Sequence, residues 1–253
     1  AFIERACGFA GALTIAGGRV GERVAVQIEK SPDALAVYAA CVRIGAIFLP
    51  LNTAYAPAEV SYFLTDSEAR LFVCDPAQLH ALTPVAKTAG ARIETLGADG
   101  TGSLVDMVAP GSAPDPVARG EDDLAAFLYT SGTTGRSKGA MLSHKNLLSN
   151  AQALKDIWHF TDADTLLHAL PIFHTHGLFV GTNITLLAGG AMIFLPKFDV
   201  GDMLRHMQQA TTMMGVPTFY TRLLDTPEFT GALARHLRLF VAGSAPLLAE
   251  THR

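Results

Sequence analysis

Apolar and polar positions in the first hundred residues alternate between two periods. Arg23–Ile28 (RVAVQI) is a short apolar run rich in β-branched residues and predicts a strand. Ser31-Pro32-Asp33 then reads as a helix start, with Ser31 as N-cap and Pro32 at the first helical position. Leu35, Val37, Tyr38, Cys41, Val42 and Ile44 form the apolar face of that helix, and Gly45 ends it. Ala46–Leu51 (AIFLPL) predicts a second strand in which Pro50 limits pairing. Pro57–Asp66 predicts a helix, Arg70–Cys74 a strand and Pro76–Ala89 a helix. Strands that alternate with helices imply an α/β fold of mostly parallel sheets layered with helices.

Between Leu96 and Asp123 the pattern breaks into Gly, Pro, Ser and Asp (LGADGTG, then APGSAPDPVARGEDD), which predicts a loop and a subdomain boundary. The expected division is a first α/β subdomain over residues 1–110 and a second over 111–253. Alternation resumes with a buried strand at Leu124–Tyr129 and a helix from about Lys145 to Trp158. Gly177–Pro196 has the length of a short membrane span. Thr182, Asn183, Thr185 and the Gly189-Gly190 break make it a buried helix, a turn and the strand Ala191–Leu195 instead. Pro217 is placed to open a helix, Leu237–Val241 reads as a strand, and Pro246 as the start of the helix after it.

Composition narrows the function classes. Of the 253 residues 49% are hydrophobic and 17% charged, enough to bury a sizeable core. The net charge of −4, without a run of Lys or Arg, lacks the basic footprint of a nucleic-acid binder. Cys7, Cys41 and Cys74 are far apart and outside any C-x-x-C pattern, which reads as reduced thiols in a cytoplasmic protein. No signal peptide or membrane span is expected.

The candidate chemistry begins at Tyr129–Gly139, reading YTSGTTGRSKG directly after a predicted strand. Gly132, Gly135 and Gly139 allow backbone N–H groups to converge on one cluster of oxygens. Thr130, Ser131, Thr133 and Thr134 add hydroxyl donors, and Lys138 adds a point charge. The order Ser137-Lys138-Gly139 is not that of a Walker A loop. A flexible, hydroxyl-rich turn is the bland alternative. The stretch resembles the hallmark loop of the adenylate-forming superfamily, which includes acyl-CoA synthetases, luciferase-type enzymes and peptide-synthetase adenylation domains. The resemblance implies two steps. A carboxylate attacks the α-phosphorus of ATP to give an acyl-adenylate and pyrophosphate, and the thiol of CoA then takes the acyl group. Such chemistry relies on positioning and charge neutralisation more than on a protein nucleophile. ATP and CoA are therefore expected, with Mg2+ on the phosphates and no dedicated protein metal site. Thr130 to Lys138, including Arg136 and Ser137, are the candidate nucleotide-binding residues, with Thr130 and Lys138 also candidates for catalysis.

Three further segments resemble the same superfamily. His168–Leu178 (HALPIFHTHGL) is similar to its Pro-x-Phe-His-x-x-Gly segment, with Pro171, Phe173, His174 and Gly177 in step. This implies that His174 stands beside the carboxylate being activated; His176 receives no role. Arg238–Leu247 (RLFVAGSAPL) resembles the strand and Gly-Ser-Ala-Pro turn that lines the adenine and acyl pocket, implying contacts from Gly243, Ser244, Ala245 and Pro246. Met213–Leu224 (MMGVPTFYTRLL) looks most like malonyl-CoA synthetases. There the arginine, here Arg222, grips the distal carboxylate of the acid, and Met214, Gly215 and Ser244 join the pocket. A guanidinium fork suits that task. The competing reading is a surface ion pair between Arg222 and Asp225.

The expected function is an acid–CoA ligase acting on malonate or a substituted malonate. Another short-chain or aryl acyl-CoA synthetase, or an inactive nucleotide-binding fragment, are the alternatives. A kinase or P-loop enzyme and a serine hydrolase are disfavoured for want of their motifs. The resemblance covers the whole chain but only about half of a superfamily member. The Tyr-Gly-x-Thr-Glu and Thr-Gly-Asp segments and the small C-terminal domain are not in it, so this chain alone is expected to be inactive.

Overall fold

The structure, a computed structural model, describes residues 2–109, 111, 113–130 and 137–249. The chain divides into two compact units, Ala1–Asn146 and Leu147–Arg253.

The first unit opens with helix α1 (Phe2–Ile15), which the sequence analysis did not anticipate; Ala6, Phe9, Ala10 and Leu13 are its buried stripe. Strand β1 (Arg23–Gln27) is followed by helix α2 (Pro32–Arg43), where the Ser31 hydroxyl accepts from the Ala34 N–H at 3.1 Å as expected of an N-cap. Strand β2 (Ile47–Pro50), helix α3 (Pro57–Ser67), strand β3 (Leu71–Cys74), a short 3-10 turn (Pro76–Gln78), helix α4 (Leu79–Ala89) and strand β4 (Arg92–Thr95) continue the alternation. A one-turn helix α5 (Ser103–Asp106) interrupts the expected loop. Strands β5 (Leu124–Thr130) and β6 (Lys138–Ser143) complete a six-stranded sheet of order β4-β3-β1-β2-β5-β6.

All pairings in this sheet are parallel except the last, where β6 runs antiparallel to β5. Pro50 pairs with Val26 on one side, while β2 meets β5 only at Phe48 and Ala126, in keeping with the donor that proline lacks. Leu49, Leu64, Phe72 and Leu82, all nearly inaccessible to solvent, form the core of one face.

The division differs from the expected one at residue 110. β5 and β6 belong to the first sheet, so the phosphate-loop segment falls in the first unit and not the second. The Gly/Pro-rich stretch marks a surface excursion within one unit: the Val117 N–H returns to the Arg43 carbonyl at 2.9 Å.

Helix α6 (His144–Ile157) leads into the second unit. Strand β7 (Thr165–His168), a π-helical turn (His176–Thr182), helix α7 (Asn183–Ala188), strand β8 (Ala191–Phe194) and helix α8 (Val200–Met207) follow. Strand β9 (Thr212–Gly215), helix α9 (Pro217–Leu224), the short helix α10 (Gly231–Ala234) and strand β10 (Leu239–Ala242) complete it. The sheet is parallel throughout, in the order β10-β9-β7-β8. Pro217 opens α9 as expected, whereas Pro246, Leu247 and Leu248 are not helical. No helix among the described residues is long and apolar enough to cross a membrane.

Candidate active site

In an open parallel sheet, ligands collect at the carboxyl ends of the strands, where loops replace the backbone ladder. Each expected site segment sits at such an end. In the first unit, β5 delivers Thr130 at its last position. Thr130 pairs directly with Lys138, the first residue of β6, and both are exposed. The Thr130 hydroxyl lies 3.4 Å from the Lys138 carbonyl. Ser131, Gly132, Thr133, Thr134, Gly135 and Arg136 lie outside the described residues.

Gly139 also has a packing task. It belongs to β6 opposite Tyr129, and a Cβ there would overlap the ring of Phe127. Its missing side chain makes room for that aromatic ring.

In the second unit, His168, Met214 and Val241 stand side by side across β7, β9 and β10. The residues that follow them form one rim. From β7, the chain runs through Pro171 and Phe173 to His174 and His176. A Cβ at Gly177 would overlap the Pro171 carbonyl, so the turn closes only over glycine. The buried His168 ring braces the same turn: its Nε2 lies 2.8 Å from the Gly177 carbonyl and 3.2 Å from Thr182 Oγ1. Sequence reasoning assigned His168 nothing. The only trace was its place directly after the apolar pair Leu166-Leu167, where a buried polar residue needs a partner.

His174 is exposed, with its ring edge-on to Phe173 at 4.6 Å. Partial burial of the two rings lowers the pKa of both His174 and His176 below the ordinary imidazole value, which favours the neutral form. From β10, Gly243 and Ser244 meet His176. Its Nδ1 shares a hydrogen bond of 3.2 Å with Ser244 Oγ, and a Cβ at Gly243 would come within 3.1 Å of the ring. Ser244 holds φ at 68°, a left-handed conformation uncommon outside glycine. The structure thus brings His176 into contact with the Gly-Ser-Ala-Pro turn. Spacing could not show this, because the partners are 68 residues apart. Ala245 and Pro246 are exposed beyond it.

Met214 and Gly215 end β9 in buried positions, and the Met214 side chain packs with Leu166, Leu170 and Ile184. Its thioether is part of the wall's packing. Arg222, on α9, is exposed and stacks on the Phe198 ring at 4.9 Å; among the described residues it forms no ion pair with Asp225. Stacking engages the face of a guanidinium and leaves its N–H edge free for a carboxylate. The Tyr220 hydroxyl of the same helix donates to the Val241 carbonyl at 2.6 Å and ties α9 to β10.

The sequence matches the AMP-binding enzyme family over residues 1–253. The chain belongs to that family. Among solved structures, this AMP-binding chain is similar to ATP-bound MatB from Rhodopseudomonas palustris, with a TM-score of 0.97 and 57% identity, over 100% of this chain and 50% of that one. Among curated proteins it is similar to a feruloyl-CoA synthase of Amycolatopsis sp, 34% identical over 98% of this chain and 49% of the relative. It is also similar to a malonate–CoA ligase of Arabidopsis thaliana, 30% identical over 91% of this chain and 42% of the relative. The AMP-binding chain spans about half the length of the relatives it matches.

Proposed function

We propose that the complete protein is an ATP-dependent acid–CoA ligase whose acid is malonate or a short substituted malonate. The observation that carries the adenylation reading is the run Thr130–Lys138 at the carboxyl end of β5, with its two flanks paired across the hairpin. A carboxylate oxygen of the acid attacks the α-phosphorus of ATP and pyrophosphate leaves. The thiolate sulfur of CoA then attacks the acyl carbon and AMP leaves. In this scheme Thr130 donates its hydroxyl and Lys138 its ammonium to phosphate oxygens. His174, whose lowered pKa favours the neutral ring, is at the rim as a hydrogen-bonding group.

Magnesium on the phosphates would neutralise further charge. No group of three or more His, Cys, Asp and Glu among the described residues could hold a metal. The hydroxyl of Thr130 would be one oxygen ligand from the described residues, beside the nucleotide's own phosphate oxygens.

The malonate reading rests on Arg222, together with 57% identity to MatB and the match to a malonate–CoA ligase. An aryl acid is the second reading, favoured by the match to a feruloyl-CoA synthase. Pyrophosphate release by the complete protein with malonate, methylmalonate, acetate, octanoate and ferulate separates the two. Arg222→Ala should lower kcat/KM for malonate by about a hundredfold or more, since a desolvated carboxylate loses its partner. It should leave acetate nearly unchanged. Undiminished malonate turnover in that variant would sink the role given to Arg222.

A further inference from the structure

The two flanks of the phosphate-loop segment are held by one helix. Tyr62 and Asp66 lie at i and i+4 on α3, on the same face. Tyr62 donates its hydroxyl to the Ser137 carbonyl at 2.9 Å, immediately before β6. Asp66 accepts from the Tyr129 hydroxyl at 2.6 Å, immediately before the end of β5. The rings close the same grip: Tyr62 meets Tyr129 edge-on at 6.1 Å, and Phe63 packs against Tyr129 at 4.5 Å. Burial, with the Asp66 hydrogen bond and charge, pushes the Tyr129 phenol well above its ordinary value, so it remains a donor.

We propose that Tyr62 is a positioning residue for ATP, acting through the Ser137 peptide to fix Lys138 opposite Thr130. The proposal rests on the adenylation reading above. The physical basis is short. Ser137 and Lys138 share a peptide unit, so a hydrogen bond to the Ser137 carbonyl restrains the backbone that carries the lysine. Thr130 is fixed from the other side by the Tyr129–Asp66 bond. With both flanks tied to α3, the Thr130–Lys138 rung keeps its width before nucleotide arrives, and binding is spared the cost of ordering it. The arrangement acts on the two flanks of the phosphate-loop segment, so its loss should be felt by ATP and not by malonate.

The test uses the complete protein. Tyr62→Phe keeps the ring in its aromatic cluster and removes only the hydroxyl. Steady-state kinetics, titration with a fluorescent N-methylanthraniloyl-ATP and thermal unfolding are measured together. We expect the ATP KM and the probe's Kd to rise about three- to tenfold. The malonate KM should stay within twofold and Tm within a few degrees. An unchanged ATP KM overturns the proposal, as does a parallel rise in both KM values with a large fall in Tm, the mark of general loosening. If Tyr62→Phe fails to fold, Tyr129→Phe decides, with the same expected outcome. A wild-type protein that binds the probe while Tyr62→Phe binds it equally well removes this inference alone. A wild-type protein that neither binds the probe nor releases pyrophosphate removes the adenylation reading, and this inference with it.

Discussion

Arg238 shows how much one side chain in this molecule can carry. Its Nε and Nη2 reach the two oxygens of Asp164 at 2.7 and 2.6 Å, its Nη1 and Nη2 donate to the carbonyls of Trp158 and His159, and its plane faces Phe160. Asp164, with 4% of its side chain exposed, also accepts from the Thr211 hydroxyl and the Thr161 N–H. Burial by itself would raise the Asp164 pKa; the hydrogen bonds and charge of Arg238, with Thr161 and Thr211, outweigh it and hold the carboxyl at about 2. A carboxyl depressed from 3.8 contributes its stability above the unfolded value and loses it as pH falls from about 4 to about 2. Arg238→Met leaves that charge buried without its partner. We expect a loss of roughly 2–3 kcal/mol at pH 7, at the low end for a buried pair because 38% of the arginine side chain is exposed. Urea unfolding at pH 7 and at pH 3 checks both halves: the gap between variant and wild type should narrow at the lower pH, and a gap that stays constant would contradict the linkage. Asp164 and Arg238 are 74 residues apart, and nothing in the sequence signalled that they pair.

At the scale of elements, legibility followed the length and purity of the local pattern. α2 and β1 were readable because Ser31-Pro32 and RVAVQI each carry a physical signal within a few residues. α1 was missed although its buried residues recur at helical spacing, since Gly8 and Gly11 dilute the helix signal in FIERACGFAGALTI. β6 was missed for a different reason. Its first residues, Lys138 and Gly139, complete the phosphate-binding motif, and a motif reading absorbed residues that the backbone uses as a strand. The site rim was legible segment by segment, but its contacts were not. His168 under Gly177 is a contact that the turn after β7 creates, while His176 against Ser244 and Tyr62 on Ser137 join residues 68 and 75 apart that only the fold brings together. The β5–β6 hairpin yields a direct check on the structural role of Gly139. Gly139→Ala must displace the Phe127 ring, an overpacking cost of about 1–3 kcal/mol. Shrinking the ring with Phe127→Leu should recover much of that loss in the double variant. Additive losses in chemical denaturation would show that the ring does not lie over the glycine.

Across the whole chain, the fold class was the most legible property, because βα alternation allows few architectures, and activity is the least. Two units, one with a mostly parallel sheet and one with a parallel sheet, each present groups at strand ends, the Thr130–Lys138 rung in one and the His174, His176 and Ser244 rim in the other. Adenylation draws its rate from donors and charges positioned together around a developing pentavalent phosphorus, so a partial set gives far less than a proportional share of the rate. The relatives that this chain matches are about twice as long as it is. The resemblance of the Thr130–Gly139 loop to the adenylate-forming superfamily implies that a glutamate holding magnesium, an aspartate holding the ribose and an adenylation lysine lie in segments other than these 253 residues. We therefore expect the 253-residue chain, produced alone, to release pyrophosphate with malonate at less than about a hundredth of the complete protein's rate, the loss of about 2.7 kcal/mol of transition-state stabilisation or more. A continuous pyrophosphate assay on both, at equal molar concentration and saturating ATP, makes the comparison. Equal rates would mean that residues 1–253 hold every group the first step requires, and the roles assigned beyond them would have to be withdrawn.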